Sequence, residues 1–386
     1  MKLSIQKCSN YNPENLEMAL ERLIQPFGSF SGILKDRRKV LIKPNLLSAK
    51  SPEKAVTTHP SIVEWFVRGF QKIGASVYLG DSPPIGIGRI EEYWKKTGMS
   101  DVVEKTGAKF LYFEKETSRM HRIASGKLQT DISLLDMAFD KDVLILNLAK
   151  LKSHNLTVIT GAVKNFFGLV PGLQKPKLHK IFPDSFDFGK LIAQIAQLFP
   201  NSFTVIDGIT GMDGDGPAGG NPINTCVLLA SEHPLAADLA FCKIIGTSPE
   251  SLPIISESLK LNPHVTLEKI EISGNSLSEV KYSGFNLPKA PLFLKIPKPL
   301  FKLVQKLIKP KPRICQSKCI KCRACINICP AHAISLNDSS DTVKLNYSKC
   351  IACFCCTEVC PKNAIDIHIG SLLNLLKFLR ALLRRY

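Results

Sequence analysis

The chain has 386 residues, of which 45% are hydrophobic and 22% are charged, and its formal net charge is +18. This composition excludes a disordered or fibrous protein, and the length predicts two or three domains. No apolar run is long enough to predict a membrane-spanning helix, and the N-terminus lacks a signal-peptide core. We therefore expect a cytoplasmic protein whose 13 cysteines bind metal rather than form disulfides.

The charge and the cysteines are concentrated toward the C-terminus. Residues 286–386 contain 18 basic and four acidic residues, and ten cysteines follow residue 314. Residues 1–285 are predicted to form a near-neutral body, followed by a basic, proline-rich linker at 286–313. The linker is predicted to hold one short helix, Leu300–Ile308, and a cysteine-rich domain follows at 314–368.

The body alternates segments of helical and strand periodicity. Helices are predicted at 12–26, 60–73, 156–169, 188–199 and 234–245, and strands at 40–42, 76–79, 143–146, 203–206 and 226–230. Residues 143–146 form a continuous apolar run, which is typical of a strand buried on both faces. The alternation predicts an α/β fold, with a mostly parallel sheet layered with helices.

Polar residues follow the ends of these strands, where ligands bind in parallel sheets. Lys150, Lys152 and His154 alternate directly after one strand, so an extended backbone places them on one face. We expect Lys150 and Lys152 to bind a carboxylate or phosphate, and His154 to donate a proton. A solvated basic loop, with His154 as a structural histidine, is the alternative.

The next polar segment extends this predicted pocket. Lys164 and Asn165 are expected to add to the anion site, with Lys164 beside His154 in catalysis. His179 and the strand-end residues Lys43 and Asp81 are further candidates.

Residues 207–220 are glycine-rich and read as a loop that lets the backbone approach a ligand. Asp207 is predicted to line the same pocket, and Asp213 and Asp215 are candidates for a cation site or an acid. The segment lacks the glutamate of an EF-hand and the Gly-Lys-Ser/Thr of a Walker A loop. Gly86 and Gly88 are not followed by the third glycine of a dinucleotide fingerprint, so a nicotinamide site is not supported.

The strongest signal is a repeated cysteine motif. Two copies have identical spacing, and each ends in Cys-Pro followed by Ala-Ile: Cys319, Cys322, Cys325 and Cys329, then Cys350, Cys353, Cys356 and Cys360. In two-cluster ferredoxins of bacteria, three cysteines of one motif and the fourth of the other hold each cube. The motifs resemble those proteins and predict two [4Fe–4S] clusters in a small α+β ferredoxin domain.

The ligand sets follow from that crossed pattern. Cluster 1 is assigned to Cys319, Cys322, Cys325 and Cys360, and cluster 2 to Cys350, Cys353, Cys356 and Cys329. Two structural zinc sites are the alternative, but zinc motifs usually separate their cysteine pairs by a dozen or more residues. Cys315 and Cys355 fall outside the pattern. Each is either a spare thiol near a cluster or a small residue in a tight loop, and the second interpretation is favoured.

The body also resembles the domain-of-unknown-function 362 family. The resemblance is carried by Asp81-Ser82-Pro83, by residues 150–168 with Thr160-Gly161 and Gly168, and by Asp207-Gly208 with Gly211-Met212. Members of that family are often fused to a ferredoxin domain, which implies iron–sulfur binding and electron transfer without a defined substrate. The implied fold is similar to the α/β domains of nickel-dependent lactate racemase, and this likeness carries no reaction.

The last 16 residues, Ser371–Tyr386, predict an amphipathic helix with six leucines on one stripe, four basic residues and no acid. Such a helix binds anionic membranes, a partner or the protein's own body. The chain shows no motif that reads nucleic acid.

Two functions fit these features. The first is a reductase that transfers electrons from the clusters to an anionic ligand in the body. The second is a non-catalytic ferredoxin-like carrier whose body docks a redox partner protein or a membrane. In both, the protein is expected to be cytoplasmic, with peripheral contact at the inner face of the membrane.

Overall fold

The structure, a computed structural model, describes residues 1–83, 90–125, 128–172, 174–288, 310–337 and 341–368. The predicted helices at Leu300–Ile308 and Ser371–Tyr386 lie outside the described residues, as does most of the predicted linker. Among the residues that are described, no helix is both long and apolar enough to cross a membrane.

A nine-stranded sheet forms the centre of the body. The body strands are β1 (Lys2–Lys7), β2 (Lys39–Pro44), β3 (Ser76–Gly80), β4 (Lys109–Leu111), β5 (Ser118–Ser125), β6 (Leu128–Leu135), β7 (Val143–His154), β8 (Val158–Ile159), β9 (Ser202–Asp213), β10 (Asn221–Ser231) and β11 (Glu271–Gly274). The order is β11-β1-β10-β9-β7-β2-β3-β4, with β8 paired to the end of β7, while β5 and β6 form a separate hairpin. Strands β9, β7, β2, β3 and β4 run parallel, which confirms the predicted mostly parallel sheet.

Helices cover both faces of this sheet. They are α1 (Pro13–Ile24), α2 (Ser29–Leu34), α3 (Pro60–Lys72), α4 (Ile90–Lys96), α5 (Met99–Thr106), α6 (Gly161–Asn165), α7 (Gln174–Ile181), α8 (Ser185–Gln197), α9 (Pro234–Ile244) and α10 (Pro253–Leu261). Side chains of β7 alternate between the two layers: Leu144 and Leu146 pack with α1 and α3, and Val143 and Ile145 pack with α8 and α9. Burial on both faces explains why residues 143–146 are apolar throughout.

The helix predicted at 156–169 is wrong over its first half. Strand β7 continues to His154, turns, and pairs back with β8 at Ser153 and Ile159. Helix α6 starts only at Gly161, where the Asp238 carboxylate accepts the Ala162 and Val163 N–H groups at 2.6 and 2.9 Å. Gly161 has a φ of +64°, and a Cβ there would lie 2.2 Å from an Asp238 oxygen. Capping by a residue distant in sequence therefore fixes where this helix begins.

The predicted glycine-rich loop at 207–220 is strand over its first half. β9 runs to Asp213, and only residues 214–220 turn before β10. Gly208 and Gly211 are required because the Leu151 side chain lies 2.9 Å from where each Cβ would stand. These glycines serve close packing of β7 against β9 rather than approach to a ligand.

The C-terminal domain contains two copies of one strand–helix–strand unit. Its elements are β12 (Lys311–Ile314), α11 (Ala324–Ile328), β13 (Ile334–Asn337), β14 (Thr342–Leu345), α12 (Cys355–Glu358) and β15 (Ile365–His368). Each helix follows a residue in the left-handed conformation, Arg323 at φ 62° and Phe354 at φ 63°. β12 pairs with β15, so the domain's sheet starts at Lys311, before the predicted boundary of 314.

Candidate functional site

The eight motif cysteines line two separate hollows in the C-terminal domain. Three cysteines of one motif and the last cysteine of the other line each hollow. The first hollow is lined by Cys319, Cys322, Cys325 and Cys360, and the second by Cys329, Cys350, Cys353 and Cys356, with Cys355. Strand pairing of β12 with β15 and contact of α11 with α12 bring the two motifs together in this way.

The residue four positions after the last cysteine of each motif donates a backbone hydrogen bond to that cysteine. The Ala333 N–H donates to Cys329 Sγ at 3.3 Å, and the Ala364 N–H donates to Cys360 Sγ at 3.1 Å. The same contact thus occurs once in each repeat, on the fourth cysteine of the motif. In the crossed pattern this is the cysteine that belongs to the ligand set of the other motif. Backbone N–H···S bonds are among the groups that set the potential of an iron–sulfur cluster.

In the absence of metal, burial and the charges of neighbouring motif cysteines make these thiols harder to ionise. Burial and the neighbouring Cys360, Cys319 and Cys322 raise the pKa of Cys325 to about 11. Burial, followed by the charges of other motif cysteines, raises the pKa of Cys356 as well. A cationic group at each hollow would offset this repulsion and bind the thiolate form.

The donor arrangement fits a cluster better than a single ion. Within the part of the chain that is described, no three Cys, His, Asp or Glu side chains converge on a point where one metal ion would bind. A zinc ion draws four ligands to about 2.0–2.3 Å, whereas an iron–sulfur cube takes one thiolate at each of four corners. Cysteines spread around the wall of a hollow therefore suit the cube.

A further cavity lies between the body and the C-terminal domain, and we call it the interdomain cavity. It has a volume of about 70 Å³. Polar body residues form most of its wall, and α11 and α12 close it. The lining is Lys43, Asn45, Leu46, Leu47, Asp81, Ser82, Thr160, Lys164, Asn165, Phe167, Gly168, Lys175, Pro176, His179, Ile328, Cys355 and Glu358.

Two of the predicted site residues, Lys164 and Asn165, line this cavity. Asn165 is held in a network: its Oδ1 accepts from Lys43 Nζ at 3.3 Å and Asn45 Nδ2 at 3.0 Å, and its Nδ2 donates to Asn147 Oδ1 at 2.7 Å. Burial lowers the pKa of Lys164, and the nearby Glu358 carboxylate partly offsets that effect. Asn165 thus orders the wall, while Lys164 presents its ammonium group.

Lys43 and Asp81 form a buried ion pair in the cavity wall. Their side chains are 1% and 4% exposed, and Lys43 Nζ lies 3.0 Å from Asp81 Oδ1. A Cβ on Gly168 would stand 2.2 Å from that oxygen and 2.4 Å from Lys43 Nζ, so only glycine fits beside the pair. The Asp81 carboxylate also accepts the Leu46 and Ser82 N–H groups at 2.8 Å.

Lys150 and Asp207, both predicted in the anion pocket, instead pair with each other outside the lining of the cavity. Lys150 Nζ lies 2.7 Å from Asp207 Oδ2, with both side chains at most 1% exposed. Tyr11 Oη donates to Asp207 Oδ1 at 2.8 Å, and the His59 N–H donates to Oδ2 at 2.9 Å. The Asp207 carboxylate is therefore fully occupied by residues of the body.

Asp213, another acid of the glycine-rich segment, also has its carboxylate bound by residues of the chain. Its Oδ2 accepts from the Asn286 backbone N–H at 3.0 Å and from Asn286 Nδ2 at 2.6 Å. These contacts fasten the end of β9 to residue 286, just after the predicted body.

Lys152 and His154 point toward the C-terminal domain from the end of β7. Lys152 Nζ donates to the Val56 carbonyl at 2.6 Å, and burial lowers its pKa well below the usual value. His154 Nδ1 accepts the Leu156 and Thr157 N–H groups at 3.1 and 3.4 Å. Burial lowers the His154 pKa, so the ring is neutral and its proton is on Nε2.

His154 Nε2 faces the cysteine-rich domain directly. It lies 3.4 Å from Glu358 Oε1, and Glu358 stands between Cys356 and Cys360. A second cross-domain contact joins Lys50 Nζ to Asn363 Oδ1 at 2.7 Å. The end of β7, which carries the predicted lysines and histidine, therefore meets α12, the helix inside the second cysteine motif.

Lys175, Cys355 and Glu358 are residues of the cavity wall that the sequence did not single out as a site. Lys175 is buried and donates to the Ser82 carbonyl, and burial lowers its pKa to about 8. Its segment, QKPKLHK, contains three lysines with no pattern to distinguish one. Cys355 and Glu358 are marked only by their place within the second motif, which indicates nearness to a cluster and not to the body.

Comparison with known proteins agrees with both parts of the chain. Residues 318–364 match a 4Fe-4S dicluster domain, and residues 40–243 match the domain of unknown function (DUF362). A thylakoid-associated protein of Synechocystis sp. is 30% identical over 270 residues, which are 68% of this chain and 80% of that protein.

Two solved structures match part of the chain at low similarity. The lactate racemase apoprotein of Thermoanaerobacterium thermosaccharolyticum shares 13% identity at a TM-score of 0.40, over 63% of this chain and 56% of that one. A Thermotoga maritima protein shares 14% identity at a TM-score of 0.39, over 67% and 60%.

The fold, the cysteine hollows and the dicluster match define a 4Fe–4S iron–sulfur protein of the electron-transfer class. The match over residues 40–243 of the α/β body identifies the family as well. The chain belongs to the DUF362 family, with a 4Fe–4S ferredoxin-type domain at its C-terminal side, as the sequence motifs predicted.

Proposed function

We propose that the chain binds two [4Fe–4S] clusters and delivers electrons to an anionic ligand held by the α/β body, and so acts as a reductase. The proposal rests on the interdomain cavity. Helix α12, which carries Cys355 and Glu358 among the motif cysteines, forms one wall, and the lysine-bearing body forms the other. When bound, each cluster supplies one-electron transfer at low potential.

The crossed ligand sets are part of this proposal. Cluster 1 is assigned to Cys319, Cys322, Cys325 and Cys360, and cluster 2 to Cys350, Cys353, Cys356 and Cys329. The support is that these same sets line the two hollows. Cluster 2 then lies beside the body, because Cys355 and Glu358 of its motif contact the interdomain cavity.

The electron donor is proposed to be an acidic redox protein that docks over cluster 1. Four exposed residues at or beside that hollow are basic, Lys318, Lys321, Arg323 and Lys362, and Lys321 pairs with Asp341. Ile320, which lines the hollow, is 56% exposed. An apolar contact ringed by lysine and arginine fits a partner with carboxylates around its own cofactor.

His154 and Lys164 are proposed as the catalytic residues of the reduction. Lys164 holds the anionic group of the ligand, and His154 supplies a proton. The Nδ1 atom of His154 accepts two backbone N–H groups, so the one proton that the ring could pass on is the Nε2–H, which faces Glu358 Oε1 at 3.4 Å.

Reoxidation of the reduced holoprotein tests this function. Anaerobic protein reduced with dithionite and freed of excess reductant is mixed with a protein-free cell extract, and the visible absorbance of the clusters is followed. We expect reoxidation by the wild type and a loss of at least about 100-fold in rate for His154→Ala and Lys164→Ala, with cluster content unchanged. Lys105→Ala, an exposed lysine on α5, is the matched control. Wild-type rates in both site variants would contradict the assignment.

A non-catalytic carrier is the second candidate. In favour of it, two of the buried lysines near the strand ends, Lys43 and Lys150, already pair with Asp81 and Asp207. In that case the body docks a redox partner protein or a membrane. The reduced wild type then stays reduced in protein-free extract and is reoxidised only when a protein fraction is added.

We also propose peripheral contact with the inner face of the membrane through Ser371–Tyr386, in an otherwise cytoplasmic protein. The support is the basic, leucine-rich pattern of that segment and the relative named as thylakoid-associated. We expect vesicles containing anionic lipid to retain the full chain at low salt, and deletion of residues 371–386 to release it. Equal retention of both proteins in co-sedimentation would contradict this role.

A further inference from the structure

We propose that the interdomain cavity is a binding site for a small carboxylate or oxyanion of about five or six non-hydrogen atoms, shared between the body and the C-terminal domain. Lys164 and Lys175 bind the negative charge of the ligand, and the carboxylate of Glu358 on α12 limits how much negative charge the site accepts. This proposal rests on the reductase function for its biological purpose. Binding of the anion, however, is measured without any electron transfer.

Unpartnered polar atoms in the wall favour a polar occupant. Thr160 Oγ1, His179 Nδ1 and Asn45 Oδ1 are buried and have no hydrogen-bond partner among the described residues. The Thr160 and His179 residues are only 3% and 5% exposed. Buried polar groups in proteins are nearly always hydrogen-bonded, and a polar ligand that reaches these atoms would supply the missing partners.

The charge in the wall favours an anion. Lys43 is matched by Asp81 at 3.0 Å, which leaves Lys164 and Lys175 facing the single carboxylate of Glu358. Lys175 donates to the Ser82 carbonyl, a neutral acceptor, and the carboxylates of Asp81 and Glu114 act on its charge without a direct ion pair. In the described residues, Lys164 Nζ has no hydrogen-bond or ion-pair partner, and it lies 6.0 Å from the centre of the Phe167 ring. The lining itself holds three lysines and two carboxylates, an excess of one positive charge that one bound anion would balance.

The cavity volume indicates how much of a ligand is buried. A buried water needs about 10–15 Å³ of such space. The 70 Å³ of the interdomain cavity, which is open to solvent on one side, therefore holds a buried group of about five or six non-hydrogen atoms. Carboxylate and oxyanion ligands share the chemistry that the lysines recognise, and they differ in shape and in the number of acceptor oxygens.

Calorimetric titration of the anaerobic holoprotein with acetate, and separately with inorganic phosphate, tests the site. We expect one anion per chain, with the tighter of the two probes naming the carboxylate or the oxyanion source. Lys164→Gln and Lys175→Gln should each weaken binding at least ten-fold, because each removes one positive charge. Glu358→Gln should tighten binding several-fold, because it removes the opposing negative charge. Lys105→Gln should leave binding unchanged.

Opposite effects of the lysine and glutamate variants separate binding from misfolding, since damage to the fold weakens binding in every variant. Cluster absorbance and melting temperature confirm that each variant is intact. The proposal is overturned if neither probe binds the wild type, or if Lys164→Gln, Glu358→Gln and Lys105→Gln bind alike. Anion binding with these effects but without reoxidation in extract would keep the site and remove the reductase function.

Discussion

Replacing Lys150 by methionine lowers the free energy of unfolding of the body by about 3–5 kcal/mol, the cost of leaving a buried charge without its partner. Asp207 then keeps its contacts to Tyr11 Oη and the His59 N–H but loses the ammonium group 2.7 Å away. Urea unfolding followed by tryptophan fluorescence measures the loss, because both tryptophans, Trp65 and Trp94, lie in the body.

The double variant Lys150→Met/Asp207→Leu provides the internal control. Removing both charges leaves no unpaired buried charge, although Tyr11 Oη and the His59 N–H lose their acceptor. Part of the lost stability should therefore return, in contrast to the sum of two separate losses. Lys105→Met should stay within about 0.5 kcal/mol of the wild type. A stable Lys150→Met variant that has lost anion binding would instead restore the role that the sequence predicted for this lysine.

Replacing Cys360 by alanine removes cluster 1 and leaves cluster 2, so anaerobic protein falls from about eight irons per chain to about four. Cys360 belongs to the second motif, yet it lines the hollow of Cys319, Cys322 and Cys325. Iron and acid-labile sulfide analysis, with the visible spectrum, measures the loss. Cys315→Ala, outside both sets, is expected to retain all the iron.

Paired substitutions distinguish the crossed ligand sets from sets confined to each motif. With crossed sets, Cys360→Ala/Cys319→Ala damages one cluster and keeps about four irons, whereas Cys360→Ala/Cys350→Ala damages both and keeps almost none. Sets confined to each motif predict the reverse. Loss of all iron from Cys360→Ala alone would show that the two clusters do not assemble independently.

The features that the sequence predicted well depend on local patterns. The apolar run at 143–146 predicts a buried central strand because both faces of β7 are covered. The cysteine spacing, repeated with its Cys-Pro-x-x-Ala ending, predicts the iron–sulfur domain, and the backbone N–H of each Ala contacts Cys329 or Cys360. In each case the signal lies within about 15 residues, so one chain is enough to read it.

The features that the sequence did not predict depend on long-range pairing. Alternation of Lys150, Lys152 and His154 correctly indicates a strand, but it does not show that β9 places Asp207 opposite Lys150. The start of α6 is set by Asp238, 77 residues beyond Gly161, and not by the residues around it. Position in the tertiary structure thus decides which lysines are neutralised and which remain free for a ligand.

Packing of the two domains was the other missing information. Lys175 and Glu358 have no pattern in the sequence that connects them, yet they lie in one cavity wall. The contact between His154 Nε2 and Glu358 Oε1, at 3.4 Å, joins the predicted proton donor to the second cysteine motif. A pocket formed between two domains cannot be read from either domain alone.

The most direct test of the central claim is an anaerobic reductive titration of the full-length protein with iron and zinc analysis of the same sample. Two [4Fe–4S] clusters predict about eight irons and the uptake of two electrons per chain, with bleaching of the visible absorbance. Two zinc ions per chain, with no iron and no uptake of electrons, would contradict the iron–sulfur function of this protein.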